Sequence, residues 1–252
     1  MGGGSPWIPN MRLDLSTWEE IDAYLLKSKA VILPVGSTEQ HGPLGIIGTD
    51  TLCAEAVAQR AGAISGGLVL PVLAYTPAPF NMGFAGTISV TEPVFAALVT
   101  EILAALAHHG FRQVYVLNGH GANLEPLRRV AAAQSALDIH IRSWWDFQSV
   151  RSLRDALYGS WEGMHATPSE VAITQHTHRI VDHPAIPAPE PLTAEFIVAH
   201  AGDRHGPPDE HRRQFPDGRV GSHSGLARPE HGEQLLTLAS QACADEFAGL
   251  WA

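Results

Sequence analysis

The stretch Ala30-Val31-Ile32-Leu33-Pro34-Val35-Gly36-Ser37-Thr38-Glu39-Gln40-His41-Gly42-Pro43 carries the clearest structural signal in the chain. Its first six residues form a short apolar run that ends in a Gly-Ser-Thr turn, which predicts a buried β-strand. Polar residues that can bind a ligand follow as soon as this strand ends. Functional groups at the carboxyl end of a strand are typical of open α/β sheets.

The alternation of apolar strands and helical spacing continues along the chain. Further apolar runs predict strands at 68–73, 114–117 and 139–144, and Pro71 places the first of these near an edge or a bulge. Helical spacing predicts helices at 51–61 and 91–110, one that ends near 137, and a terminal helix at 233–251. We therefore predict a three-layer α/β fold, with a mostly parallel sheet flanked by helices on both faces.

Length and composition favour a single domain over residues 1–252, because 45% of the residues are hydrophobic and can form a substantial core. We expect a flexible N-terminal leader at 1–10 and a long, loop-rich excursion at 184–228. No apolar stretch reaches the roughly 20 residues of a membrane helix, and the N-terminus lacks the features of a signal peptide. A cytoplasmic location without a membrane partner is the expectation.

The charge balance excludes one broad class of partner. The chain has 26 acidic and 16 basic residues, whereas nucleic-acid binders need clustered Lys and Arg to neutralise phosphates. Fourteen histidines are more informative, since neutral imidazole binds metals and carries protons near neutral pH. Four lie in the late excursion, where they could contact the substrate but where we expect positions that face solvent or an interface: His200, His205, His211 and His223.

Three potential metal ligands lie within twelve positions at the end of the first strand. Glu39 and His41 are separated by one residue, so extended backbone puts both side chains on one side. Asp50 ends the same loop where a helix begins. Each has an ordinary alternative: a helix cap for Asp50, a loop acid for Glu39 and a turn hydrogen bond for His41. Together they favour a metal site.

Two later clusters add candidate groups. His120 follows another strand and is flanked by glycines that permit close approach to an ion or substrate. Asn123, three residues on, could orient His120 or cap the next helix. The third cluster runs from Trp161 to Glu170, and Glu170 could also be an ordinary helix-start residue.

Taken in order, the three clusters resemble the signatures of the creatininase family. The similarity covers roughly residues 30–175, and 221–232 resembles a tail segment of that family. The resemblance implies an α/β fold, a homohexamer and two divalent metal ions per chain, of zinc, manganese or iron. It implies a small-molecule substrate, a linear or cyclic amide whose carbonyl a metal-bound hydroxide attacks.

The resemblance also assigns roles to residues. Glu39 and His120 would hold one metal and His41 the other, with Asp50 as the bridge and Glu170 completing the second site. His165, together with Glu170, is the catalytic candidate, because a histidine there can carry a proton to the leaving nitrogen. The candidate substrate contacts are Trp161, Glu162, Gly121 and Asn123.

The chain departs from the family pattern at one informative place. Creatinine-hydrolysing members carry Tyr-Glu where this chain has Gly121 and Ala122, which removes a metal ligand and disfavours creatinine as the substrate. Two other readings stay open: a peptidase that trims a small modified peptide, and a metal-binding subunit without catalysis. A dinucleotide-binding fold is disfavoured, since no Gly-x-Gly-x-x-Gly follows the first strand.

Overall fold

A parallel sheet forms the centre of the molecule in the computed structural model, which describes residues 12–250. In chain order the strands are β1 (Ala30–Val35), β2 (Leu68–Val69), β3 (Gln113–Asn118) and β4 (Asp138–Ser143). Within the described residues they pair in the order β2-β1-β3-β4, all parallel. Because Val35 pairs with Asn118, the carboxyl ends of β1 and β3 are level.

Helices connect the strands and cover the sheet. The helices are α1 (Trp18–Leu25), α2 (Thr49–Ser65), α3 (Glu92–His109), α4 (Leu124–Ala133), α5 (Gln148–Tyr158), α6 (Pro168–Thr177), α7 (Ala194–His200), α8 (Pro208–Gln214) and α9 (Pro229–Leu250). Among residues 12–250, none of the helices is both long enough and apolar enough to cross a membrane.

Alternate residues of the central strands pack into two separate hydrophobic cores, one on each face of the sheet. Ile32 and Tyr115 pack with α2, α5, α6 and α9 on one face, whereas Val31 and Val114 pack with α1, α3 and α4 on the other. This alternation is the two-residue period of a strand that is buried on both faces. The prediction of a three-layer α/β fold is therefore confirmed.

Some predicted bounds differ from the observed ones. The second strand is regular only at Leu68–Val69, because Pro71 has no N–H to donate, although Leu73 again bonds to the β1 carbonyl of Pro34. The helix predicted to end near 137 stops at Ala133, where Gln134 turns to extended backbone. Thr91 sits at the start of α3 but makes no side-chain capping bond. The predicted leader at 1–10 lies outside the described residues.

The region predicted as a loop-rich excursion contains two short helices, α7 and α8. Residues 179–193 before them have neither helix nor strand, and a single 3-10 turn, Ser224–Leu226, precedes α9. The excursion lies against the sheet's carboxyl edge, since α8 packs on the 3-10 turn Pro79–Gly83 that follows β2. This arrangement brings late residues to the ends of the early strands.

Candidate metal centre

The candidate site lies where the chain changes direction across the sheet. From β1 the chain runs outward to β2 and then returns to β3 on the other side of β1. Loops that leave the two central strands therefore diverge and open a crevice at their carboxyl ends. The loop after β1 carries Glu39 and His41, and the loop after β3 carries His120.

Two glycines let these strand ends approach the first turn of α2. A Cβ on Gly36 would lie 2.3 Å from the Thr51 Cα atom, and one on Gly119 would lie 2.5 Å from the Asp50 carbonyl oxygen. Neither distance is possible for a real side chain, so only glycine allows this packing. Asp50 is thereby held between the two loops, in the first turn of α2.

The carboxylate of Asp50 faces two different imidazoles. Its Oδ1 atom lies 2.9 Å from His41 Nε2, and its Oδ2 atom lies 3.2 Å from His120 Nδ1. On the His120 side, Glu39 Oε1 also lies 3.2 Å from Nδ1. On the His41 side, Glu170 Oε1 lies 3.7 Å from Nε2. The site thus has two lobes that share Asp50.

Hydrogen bonds to backbone carbonyls orient the imidazoles. His120 Nε2 lies 2.9 Å from the Pro77 carbonyl oxygen, and His41 Nδ1 lies 3.1 Å from that of Glu39. Each of these contacts requires an N–H on that nitrogen. The opposite nitrogen of each ring points at the carboxylates, where it would coordinate an ion after losing its proton, as metal-binding histidines do.

Glu39 is held in a similar way. Asn81 donates a hydrogen bond to Glu39 Oε2 at 2.9 Å, which leaves Oε1 turned toward the imidazoles. Both Glu39 Oε1 and Asp50 Oδ2 are buried and have no hydrogen-bond partner among the described residues. A buried carboxylate oxygen without a partner is costly, and a cation would remove that cost.

Clusters of donors that could share one ion occur in both lobes. Three groups have ligand atoms within 4.8 Å of one another: Glu39, Asp50 and His120; His41, Asp50 and Glu170; and Glu39, His41 and His165. No Lys or Arg among the described residues forms an ion pair with these carboxylates. Carboxylate and imidazole donors together suit zinc, manganese or ferrous iron.

The pKa values of the site residues reflect the same excess of negative charge. Burial opposes protonation of His41, but Asp50 and Glu170 outweigh it and raise its pKa to about 10. Burial raises the pKa of Glu170 to about 8, against the attraction of His41. Buried acids crowd together here, so a cation is the natural counter-charge.

His165 lies beside both lobes. Its Nε2 atom is 2.8 Å from the Gln40 carbonyl oxygen, and its Nδ1 atom is 3.5 Å from Glu39 Oε1. Burial lowers its pKa to about 3, against the attraction of Glu39, so the ring is neutral at pH 7. Ala166, the next residue, has a left-handed φ of 57°, which turns the chain sharply between His165 and α6.

A small cavity opens onto these groups. Its volume is about 220 Å³, and Asp50, His120, His165 and Glu170 form part of its wall. The rest of the wall includes Trp144, Trp145, Arg154, Met164, Gly121 and Asp203. The cavity is smaller than the roughly 300–1,000 Å³ of typical ligand pockets, so it suits a compact substrate or the end of a chain.

Comparison with known proteins agrees with this geometry. The family model described as "Creatininase: Creatinine amidohydrolase" matches residues 14–247. The chain belongs to the creatininase family. It is 29% identical to the creatinine amidohydrolase of Pseudomonas putida over 257 aligned residues, which cover 91% of this chain and 93% of that protein.

Two further matches extend the comparison. A crystal structure of creatinine amidohydrolase (creatininase) superposes with a TM-score of 0.76 at 26% identity, covering 96% of this chain and 98% of the other. The mycofactocin precursor peptide peptidase of Mycolicibacterium smegmatis is 39% identical over 108 residues, 40% of this chain and 43% of that protein. The second similarity is stronger per residue but covers less than half of either chain.

Three residues predicted as substrate contacts do not line the cavity of this creatininase-family chain. Asn123 is fully buried and donates to the Gly36 carbonyl oxygen at 2.9 Å, so it joins the two loops. Glu162 pairs with Arg154 at 2.8 Å beneath the cavity wall. Trp161 packs against His223 with ring centroids 5.8 Å apart. Gly121 does line the cavity, and the tryptophans that do so are Trp144 and Trp145.

The sequence left open whether Glu170 is a helix-start residue or a candidate metal ligand, and its position fits both roles. Thr167 caps α6 by accepting from the Glu170 N–H, and the Glu170 carboxylate accepts from the Thr167 N–H in return. This reciprocal capping box holds the carboxylate at the end of α6 that faces His41. The helix-start residue is therefore also a member of the acidic cluster.

Sequence reasoning missed several residues beside the site. Asp203, in the turn between α7 and α8, lies 3.7 Å from His120 Nδ1. The prediction that His205 and His211 face solvent or an interface is wrong for the described fold, because both side chains are buried and pack around Phe80. The signal for His205 and His211 in the sequence is the high histidine content of residues 184–228.

Proposed function

We propose that this protein is a metal-dependent hydrolase of amide C–N bonds other than peptide bonds, acting on a small linear or cyclic amide. The supporting observation is the pair of buried, unpartnered oxygens, Glu39 Oε1 and Asp50 Oδ2, which face imidazole nitrogens. Membership of the creatininase family supplies the reaction class. Its relatives include a creatinine amidohydrolase.

Two divalent ions per chain are part of this proposal. Glu39 and His120 would hold one ion, His41 and Glu170 the other, and Asp50 would give one oxygen to each. When bound, such ions lower the pKa of water and polarise a substrate carbonyl. Creatininase structures at 27% identity are described as a Mn form and a Zn–Zn form, which supports zinc or manganese; the donor set also suits iron.

His165 would carry the proton to the leaving nitrogen. Its Nδ1 atom faces the centre and its Nε2 atom is bound to a backbone carbonyl, so one nitrogen is free to accept a proton. The neighbouring rings of Trp144 and Trp145 would exclude water from the bound amide. The predicted homohexamer, single domain and cytoplasmic location complete the proposal.

The chain's own residues argue against creatinine as the substrate. Gly121 and Ala122 replace the Tyr-Glu of creatinine-hydrolysing relatives, so a ring that contacts the substrate is missing. A different compact amide is expected to fill the cavity. The similarity to mycofactocin precursor peptide peptidase makes a small peptide the second candidate, since the end of a chain also fits.

The test is amide hydrolysis by protein reconstituted with zinc, manganese or ferrous iron, on a panel of small amides, lactams and short peptides. Linear amides and peptides are followed by the ammonia or amine that is set free, and lactams by the mass gain of one water in the ring-opened product. Turnover of amides or lactams supports the main proposal, and turnover of peptides alone supports the second candidate. His165→Asn should lower kcat while the metal content stays the same. His108→Asn, an exposed position at the end of α3, is the matched control and should change neither.

A further inference from the structure

A carboxylate from the late excursion reaches the His120 lobe of the centre. Asp203 lies in the turn 201–206 between α7 and α8, and together with Gly202 it lines the cavity. Its Oδ2 atom is 3.7 Å from His120 Nδ1, the nitrogen that also faces Glu39 and Asp50. Ligand atoms of one ion lie roughly 3–4 Å apart when each is about 2 Å from the metal.

The absence of a side chain at Gly121 makes room for this carboxylate. A Cβ built on Gly121 would lie 2.2 Å from Asp203 Oδ2 and 2.9 Å from its Cγ atom. Asp203 also interacts with the backbone N–H of Ala122. Both positions that depart from the creatinine-hydrolysing pattern therefore contact Asp203.

Aromatic packing fixes the turn that carries Asp203. His205 packs on Phe80 with ring centroids 4.7 Å apart and on His211 at 4.8 Å. Phe80 in turn stacks on His120 at 6.5 Å. The turn is thus attached to the wall of the metal centre, and the left-handed φ of 56° at Asp203 is maintained by these contacts.

The surroundings of Asp203 offer no other counter-charge. Its ion-pair contacts among the described residues are with His120 and, at 4.0 Å, His205; none is with Lys or Arg. Glu39 and Asp50 already place two carboxylates at the same imidazole nitrogen. A third buried carboxylate there is unfavourable unless a cation neutralises the group.

We propose that Asp203 is a further carboxylate of the metal centre. The turn 201–206 positions it beside the His120 lobe, and the missing side chain at Gly121 leaves room for it. This inference rests on the proposed metal centre and adds to it a residue from outside the three sequence clusters. It makes affinity for the ion in the His120 lobe depend on the position of this turn. The Asp203 carboxylate also occupies the space beside the cavity that a side chain at position 121 would fill.

The experiment compares metal affinity in four proteins: wild type, Asp203→Asn, Gly121→Ala and the double variant. Zinc affinity is measured by competition with a chromophoric chelator, and bound metal is counted by mass spectrometry. We expect each single variant to bind one of the two ions, that of the His120 lobe, about 10–100-fold less tightly, the effect typical of losing a group that supports a metal site. The double variant should lose no more than either single one, because both changes remove the same carboxylate.

Asp182→Asn is the matched control, since it removes an exposed carboxylate from the irregular segment 179–193 that leads into α7. It should leave zinc affinity unchanged. Zinc affinity of Asp203→Asn equal to wild type overturns the inference, whatever happens to the melting temperature of the metal-free protein. If Gly121→Ala fails to fold, Asp203→Asn decides alone. Wild type that binds no metal would instead overturn the proposed function itself.

Discussion

Replacing Gly119 with alanine should damage both the fold and the metal centre. The new Cβ would lie 2.5 Å from the Asp50 carbonyl oxygen and 3.1 Å from the Ala54 Cβ atom. Ordinary contacts of this kind need about 3.5 Å, so the end of β3 must move away from α2 by about 1 Å. His120 would move with it, away from Asp50 Oδ2 at 3.2 Å.

The size of the effect follows from this displacement. Overpacking of a buried site costs about 1–3 kcal/mol of unfolding free energy. A shift of about 1 Å at a catalytic group lowers turnover roughly 100-fold, and metal affinity should fall with it. Urea unfolding of the metal-free protein measures the first effect, and a zinc competition titration measures the second.

Gly249→Ala is the matched control for Gly119→Ala. A Cβ there meets nothing within 4 Å and lies in α9, so the change should stabilise the protein by up to about 1 kcal/mol. It should leave zinc affinity unaltered. The reasoning is refuted if Gly119→Ala retains wild-type stability and wild-type zinc affinity, because the packing of β3 on α2 would then not position the centre.

Three further changes probe the frame around the site. Tyr24→Phe should cost about 1–3 kcal/mol in urea unfolding, because the buried hydroxyl donates to the Ala30 carbonyl at 2.7 Å; an unchanged midpoint would contradict this. Thr167→Ala should cost about 1 kcal/mol by removing the cap of α6, read from the same unfolding curves; no loss would mean that the cap is not needed. Burial raises the pKa of Glu246, but hydrogen bonds from Arg142 outweigh this and lower it, so the ion pair stabilises the fold above the unfolded pKa and is lost as pH falls through the folded one. Glu246→Gln should therefore be less stable than wild type at pH 7, with a difference that shrinks below roughly pH 4; a difference independent of pH would rule out this origin.

The fold was predictable because its signals are local. The run at 30–35 is apolar at every position and was recovered with its observed bounds, Ala30–Val35. Pro71 correctly indicated an edge position for the second strand, which is β2 at the edge of the sheet, although its regular part is shorter than predicted. The end of the helix at Gln134 was not predicted, since helix ends depend on tertiary contacts. The carboxyl ends of β1 and β3 were expected to carry the site, and they do carry Glu39, His41 and His120.

The cavity wall was harder to predict than the ligand candidates. Residues near a motif in sequence are predicted as substrate contacts, whereas the structure packs the Trp161 ring against His223 and uses the Asn123 amide to join two loops. Asp203 could not have been found by spacing. It reaches the site through the packing of a distant turn on Phe80, and its only sequence signal is the missing side chain at Gly121.

Metal stoichiometry per chain is the measurement that decides whether the buried cluster is a metal centre. It should be made by mass spectrometry on protein purified without a metal-affinity tag, beside His41→Ala and His120→Ala. We expect about two equivalents in the parent and a loss of metal in each variant, because each change removes a donor from a different lobe. Near-zero metal that zinc, manganese and ferrous iron cannot restore would contradict the account, and a metal-free role would replace it.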